Sequence, residues 1–151
     1  MRTMILGLAF AGLVGTAAIA PATHAADSPP TTDTPELRSV RAEIKAKQYT
    51  AALAELKVLA ARYQTPDVYS LLGHALWKTG DPSQGMIYYN KALALDPSHK
   101  GALEYQGELF VELGQMDKAR ENLAKLNHLC LFGCEEYDDL KTAIEHAPKK
   151  S

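Results

Sequence analysis

The feature that most constrains this chain is a repeated spacing of glycines in its second half. Gly73 and Gly107 lie 34 residues apart, and so do Gly80 and Gly114. Three further pairs of similar size keep the same step: Leu76 and Phe110, Gly85 and Ala119, and Tyr89 and Leu123. A fixed period of about 34 residues is typical of stacked helix hairpins, each of which buries an apolar face against its neighbours. The spacing therefore predicts a helical array.

Prolines and potential helix caps divide the same region into helix-sized segments. The prolines recur about every 15 residues: Pro66, Pro82 and Pro97. Because proline is tolerated in a first helical turn and damages a helix interior, these positions predict helix starts and junctions. Thr65 and Asp81, each followed by a proline, are predicted N-caps, and Ser98 is a third. Gly80 and Gly114 fall where helices are expected to end in a left-handed residue.

The pattern resembles the tetratricopeptide repeat (TPR) family. Along one repeat of that family, the sequence has in order a bulky residue, Leu-Gly, an aromatic, a small residue, a second aromatic, Ala and a final Pro. The second repeat supplies Tyr69, Leu72, Gly73, Leu76, Gly85, Tyr89, Ala92 and Pro97. The third supplies Leu103, Gly107, Phe110, Ala119, Leu123 and Leu126, with Gln106 in place of Leu and Leu131 in place of Pro. The first is degenerate and matches in its second helix, at Tyr49, Ala52, Leu56 and Leu59.

The resemblance covers about residues 34–131 and implies an all-α fold. It predicts a right-handed superhelix of about three TPR helix hairpins, in repeats at about 33–65, 66–99 and 100–133. A helix at 134–146 is expected to cap the last hairpin, because terminal repeats need a polar outer face. We place the TPR domain at 36–147 and a short tail at 148–151.

The N-terminus has the composition of a secretory signal. Arg2 precedes a charge-free stretch from Met4 to Ala20, and Pro21 and small residues follow. These three parts predict a signal peptide over 1–25 and hence a periplasmic or secreted protein. The alternative is a membrane anchor that is never removed, although the run is marginal against the roughly 20 residues that a span needs. Residues 26–35 are polar and proline-rich and predict a flexible linker.

Charge and cysteine content exclude several classes of protein. Sixteen basic against 18 acidic residues is not the balance of a nucleic-acid binder. Two cysteines cannot make a disulfide-dense miniprotein or a four-cysteine zinc site. The sequence contains no glycine-rich phosphate loop, nucleophile elbow or two-histidine zinc motif. We therefore expect no enzyme, no cofactor and no metal site.

In the TPR family the first helices of the hairpins line a concave groove that holds peptides. Carried over to this chain, the groove positions are Arg41, Lys45, Ser70, His74, Trp77, Lys78, Glu104, Glu108, Val111 and Glu112. The groove is then basic at its N-terminal side and acidic at its C-terminal side. The glutamates are alternatively a solvated face, as charge runs usually are. The family's peptide-carboxylate clamp needs Lys and Asn at two positions that Ser70 and His74 occupy here, which argues against that activity.

The function that we expect from these residues is an exported adaptor or scaffold. It would bind a protein or peptide partner in the groove, in bacterial envelope assembly or maturation, without stable membrane insertion after signal cleavage. Self-association into a homo-oligomer is a further expectation to be tested. The competing hypothesis is a thiol-redox or copper-binding periplasmic protein that uses Cys130 and Cys134.

Cys130 and Cys134 enclose three residues that include Gly133. This spacing is neither the two-residue redox spacing nor a haem attachment site. In an oxidising compartment it favours a structural disulfide across a turn, worth roughly 2 kcal/mol by chain entropy. Redox exchange and a soft metal site that recruits His128 are the alternatives.

Thiol titration of protein isolated from its native compartment distinguishes the structural disulfide from the redox and metal-binding hypotheses. We expect no free thiol and a disulfide that resists mild reductants, since a structural bridge is stable to the glutathione pool. A pair that is easily reduced and then binds one equivalent of copper would contradict the structural role.

Overall fold

The computed structural model describes residues 34–148, which form seven helices and no strand. The helices are α1 Pro35–Lys45, α2 Tyr49–Arg62, α3 Pro66–Lys78, α4 Pro82–Leu95, α5 Lys100–Glu112, α6 Met116–Leu129 and α7 Glu135–Glu145. The predicted all-α fold of three hairpins and a terminal helix is confirmed. The signal peptide, most of the linker and most of the tail lie outside the described residues. None of the helices in 34–148 is long and apolar enough to cross a membrane.

The helix ends follow the predicted chemistry at most positions. Thr65 Oγ1 accepts the N–H of Val68 at 3.4 Å, and Asp81 Oδ1 accepts that of Gln84 at 3.0 Å. Both caps stand directly before a proline in the first helical turn. Gly80 and Gly114 have φ angles of 101° and 70°, the left-handed region that glycine adopts without a steric penalty.

The predicted cap at Ser98 is wrong, because α5 is capped by His99. The Ser98 N–H donates to Asp96 Oδ1 at 2.9 Å, so this residue belongs to a turn led by the aspartate. His99 Nδ1 accepts the N–H of Ala102 at 3.0 Å. An accepting Nδ1 leaves the proton on Nε2, which lies 3.4 Å from Asp67 Oδ1 and can donate to it.

The helices form two layers. Successive helices pair as the hairpins α1–α2, α3–α4 and α5–α6, and α7 packs against both α5 and α6. In the first layer α1 contacts α3, α3 contacts α5, and α5 contacts α7. The second-layer helices α2, α4 and α6 make no comparable contacts with one another within residues 34–148. The first layer is therefore the more closely packed side of the stack.

Small residues let the helix backbones approach closely, as their period predicts. A Cβ built on Gly73 would lie 2.8 Å from the Tyr89 ring and 3.0 Å from the carbonyl oxygen of Gly85. A Cβ on Gly85 would lie 2.9 Å from the carbonyl oxygen of Gly73. Gly107 faces the Leu140 side chain, and a Cβ built on this glycine would lie 2.5 Å from Leu140 Cδ2. Leu140 is fully buried, so α7 covers the last hairpin.

Gln106, which stands where the family pattern has Leu, is buried and belongs to a polar network that extends to the surface at Asn90. Its Nε2 donates to Asn90 Oδ1 at 2.8 Å, and its Oε1 accepts from Asn122 Nδ2 at 3.0 Å. Asn122 also donates to the carbonyl oxygen of Leu103 at 3.0 Å. The network joins α4, α5 and α6, so the polar side chain is tolerated because its hydrogen bonds are made.

We expect Gly73→Ala to lower the free energy of unfolding by about 1–3 kcal/mol, because the added methyl overlaps a ring and a backbone oxygen. Urea denaturation measures this change. Gly101→Ala is the matched control, since a Cβ there meets its nearest atom at 3.6 Å. We expect the control to be neutral or stabilising by up to about 1 kcal/mol. Equal losses in the two variants would contradict the close-packing explanation.

Candidate functional site

A pocket of about 480 Å³ opens between α1, α3, α5 and α7. The acidic and basic residues that line it are Arg41, Asp67, Lys100, Glu104, Glu135, Glu136 and Asp139. Its remaining lining is Ser70, Leu71, His99, Gly101 and Tyr105. Each of the four first-layer elements thus contributes to one polar pocket, as expected when alternate helices of a hairpin stack face the same side.

An ion pair joins α1 to α3 at one wall of this pocket. Arg41 Nη2 lies 2.6 Å from Asp67 Oδ1, and His99 Nε2 approaches the same oxygen at 3.4 Å. The hydrogen bond from His99 is the largest influence on the carboxyl and, with the Arg41 charge, holds the pKa of Asp67 below its usual value despite burial. Much of the positive charge of Arg41 is therefore balanced by the Asp67 carboxylate.

Glu104 is the buried carboxyl of the pocket. Its side chain is 7% exposed, and no residue in 34–148 forms a hydrogen bond or ion pair with it. Burial, followed by the charges of Glu108, Asp139, Glu136 and Glu135, raises the pKa of Glu104 to about 9. At neutral pH the carboxyl is accordingly protonated in most molecules.

Ser70 is a second buried polar group without a partner. It is 2% exposed, and its Oγ makes no hydrogen bond within the described range. A Cβ built on Gly101 would lie 3.8 Å from this Oγ, so Ser70 faces the first turn of α5. Gly101 and Glu104 are three residues apart on that helix and share a face. Ser70 and Glu104 thus approach the pocket from α3 and α5 on the same side.

His74 is packed among aromatic rings. Its ring centroid lies 4.1 Å from that of Tyr105 and 5.7 Å from those of Tyr49 and Trp77. Burial, with a smaller effect of the Lys78 charge, lowers the pKa of His74 to about 3. The imidazole is neutral at ordinary pH and ties α2, α3 and α5 together.

Trp77 is also mostly buried, and its indole is held by charged neighbours. Trp77 Nε1 donates to Glu112 Oε2 at 2.9 Å, which links α3 to α5. Lys78 Nζ lies 3.4 Å from the indole ring centroid, in cation–π contact. Burial lowers the pKa of Lys78, while the charges of Glu108 and Glu112 oppose this shift. These contacts support the floor of the first-layer face.

The structure brings only part of the predicted groove set to the pocket. Arg41, Ser70 and Glu104 line it, whereas the other predicted residues lie outside its lining: Lys45, His74, Trp77, Lys78, Glu108, Val111 and Glu112. Lys45 is exposed in the last turn of α1. The role of the whole set in binding stays a prediction.

Several pocket residues escaped the sequence reasoning. They are Asp67, His99, Lys100, Tyr105, Glu135, Glu136 and Asp139. The acidic start of α7 was visible in the sequence, where it fits the positive end of a helix dipole equally well. Asp67 lies one turn before Ser70 on the same helix. Because residues three apart on a helix share a face, this spacing could have placed Asp67 among the predicted groove residues.

The predicted disulfide between Cys130 and Cys134 is confirmed. It brackets the turn between α6 and α7, where Gly133 has a φ of 86°. Leu131 and Phe132 project from this turn and are 80% and 101% exposed. Within residues 34–148, the two sulfurs and Glu136 are the sole cluster with metal-ligand spacing, and both sulfurs are already bonded to each other.

Comparison with known families identifies one repeat. Residues 66–99, which run from the start of α3 to the residue before α5, match the family model described as tetratricopeptide repeat. A search of curated proteins found no match to the chain. The matched span is the second of the three predicted repeats, the one with the fullest set of pattern residues.

We expect Glu104→Gln to remove a pH-dependent loss of stability. The pKa of Glu104 is about 9 in the folded protein, whereas its reference value is 4.5. Between these two pH values the folded state of the wild type therefore binds one more proton than the unfolded state does. Its free energy of unfolding therefore falls as pH rises through this window, by up to about 1.4 kcal/mol per pH unit.

Urea denaturation of both proteins at several pH values between about 5 and about 9 measures the difference. The variant should gain stability relative to the wild type as pH increases. The exposed Glu121 on α6 supplies the control, Glu121→Gln, which separates the loss of any carboxyl from the loss of this buried one. A difference between Glu104→Gln and wild type that is the same at all pH values would contradict the burial effect.

Proposed function

We propose that this protein is an exported adaptor that binds a protein or peptide partner through the first-layer face. The tetratricopeptide match over residues 66–99 supports a role in protein–protein interaction, and proteins of this family are typically non-enzymatic scaffolds. The observation that carries the proposal is the charged 480 Å³ pocket to which α1, α3, α5 and α7 all contribute. A recess built by four packed helices offers a preformed surface, which reduces the entropy lost on binding.

The proposed binding face carries opposite charges at its two ends, as the sequence predicts. Lys45 stands in the last turn of α1 and supplies the basic side of this proposal, while Glu108 on α5 and the acidic first turn of α7 supply the acidic side. An extended partner segment with acidic residues near α1 and basic residues near α7 fits this polarity. Such complementarity favours one direction of binding and raises the association rate at low salt.

Export is the second part of the proposal. The N-terminal sequence from Arg2 to Ala25 has the organisation of a secretory signal. The Cys130–Cys134 disulfide supports an oxidising compartment, because such bonds are rare in the cytosol. Together they favour the bacterial periplasm, and a partner that takes part in envelope assembly or maturation. No observation favours the thiol-redox or copper alternative, so we do not propose it.

The test is affinity capture from envelope extracts with the chain from residue 26 onward as bait. Glu108→Lys, Glu136→Lys and Asp139→Lys together reverse the acidic end of the face at positions that are not fully buried. We expect at least tenfold less of the captured partner with this triple variant, because like charges across an interface cost several kcal/mol.

The matched control changes three exposed acidic residues of the second layer: Glu55→Lys, Asp117→Lys and Glu121→Lys. It alters the net charge by the same amount, and we expect it to retain capture. Circular dichroism and urea denaturation confirm that both variants fold. The proposal would be contradicted if the first-layer variant captured as much of the partner as the wild type, or if the first-layer and second-layer variants lost capture equally.

A further inference from the structure

We propose that the pocket binds one cationic side chain, arginine or lysine, of the partner, which forms an ion pair with Glu104 and a hydrogen bond with Ser70. This inference rests on the proposed function for the source of the cation. It adds the chemistry that the pocket recognises and the two residues that recognise it.

The charge balance of the pocket favours a cation. Five carboxyl-bearing residues line it against two cationic ones, Arg41 and Lys100. Arg41 is already paired with Asp67 at 2.6 Å. The surplus of negative groups comes from Glu135, Glu136 and Asp139 of α7, which packs against α5. A carboxylate ligand would meet like charges there, whereas an ammonium or guanidinium group would be attracted.

Two buried groups point to a missing partner. Buried polar side chains in proteins nearly always form hydrogen bonds, and each exception needs an explanation. Ser70 Oγ, on a residue 2% exposed, is fully enclosed and has none in the described range. The carboxyl of Glu104, a residue 7% exposed, forms no hydrogen bond with residues 34–148 either, although its oxygens keep some contact with solvent. A guanidinium or ammonium group carries several N–H donors, enough for both a hydroxyl and a carboxylate. One ligand group therefore satisfies both residues.

The place of the two residues fits a single ligand group. Ser70 Oγ faces Gly101 at the start of α5, with 3.8 Å to a Cβ built on that glycine. Glu104 follows on the same face of the helix one turn later. The lack of a side chain at Gly101 leaves space beside Ser70, and the pocket volume of about 480 Å³ exceeds that of one long side chain.

Binding should be coupled to the loss of a proton. Glu104 is mostly protonated in the free protein, and only the carboxylate forms an ion pair, so the proton leaves to solvent as the cation enters. The groups that face Glu104 are Lys100, Tyr105 and Glu108 from α5, Glu135, Glu136 and Asp139 from α7, and Arg41, Asp67 and Tyr89 from α1, α3 and α4. Affinity should therefore rise with pH, by up to tenfold per unit below about 9.

The test uses the chain from residue 26 onward and a blocked peptide, N-acetyl-Gly-Arg-Gly-amide, as the probe. The matched peptide contains citrulline, which has the shape of arginine without its charge. Carbon-13 NMR follows the Glu104 side-chain carboxyl, which is assigned by its absence from Glu104→Gln. We expect the arginine peptide to lower the pH midpoint of Glu104 by at least one unit, and the citrulline peptide to leave it unchanged.

Variants test the two recognising residues. Glu104→Gln should abolish the preference for arginine over citrulline, and Ser70→Ala should weaken arginine binding severalfold at every pH. Glu121→Gln is the control and should bind as wild type. A Glu104 resonance that does not respond to the arginine peptide, or responds equally to citrulline, would overturn the inference. An equal response to free arginine would assign the pocket to a small cation and overturn the peptide source.

The outcomes separate this inference from the proposed function. If the first-layer triple variant loses its partner but the arginine peptide does not shift Glu104, the adaptor role stands and the cation pocket falls. If the peptide shifts Glu104 but capture is independent of the face, the pocket binds cations and the adaptor role falls.

Discussion

The close approach of α3 and α4 is the contact on which the rest of the molecule depends. Gly73 and Gly85 bring the two backbones together, and the fully buried Tyr89 ring fills the space beside Gly73. With α3 fixed on one side by this contact, its other side is free to meet α1 and α5. Ser70 and His74, on that other side, are thereby held in position rather than left on a mobile surface.

Placing polar groups in such a tightly packed layer has an energetic consequence. His74 is neutral because burial and the nearby charge of Lys78 disfavour the imidazolium. Glu104 holds its proton because burial, Glu108 and the carboxyls of α7 disfavour the carboxylate. Each costs stability at the pH where it would otherwise be charged. Asp67, which is less deeply buried, shows the opposite case, since His99 and Arg41 stabilise its charge. Of these two pocket carboxyls, Asp67 is therefore paired and Glu104 is not.

Local sequence correctly predicted most of the helix ends, because their structure depends on neighbouring residues. Thr65, Asp81 and the two helix-ending glycines have the predicted roles, because caps and left-handed residues act within one turn. The Ser98 prediction failed since Asp96 captured its backbone two residues earlier, and His99 took over the cap. Gln106 departed from the family pattern, yet it fits because Asn90 and Asn122 complete its hydrogen bonds across two other helices.

Spacing alone was enough to derive paired helices, a terminal capping helix and a disulfide-closed turn, because each depends on periodicity or on residues close in the chain. The resemblance to the tetratricopeptide repeat family, not spacing, placed Ser70 and Glu104 on the first helices of neighbouring hairpins. Burial, partners and protonation were decided by tertiary packing, since three of the four carboxyls that act on Glu104, beside Glu108 on its own helix, come from α7, about thirty residues later. A glutamate that reads as one of three exposed charges becomes a neutral, buried acid only when that helix packs against α5.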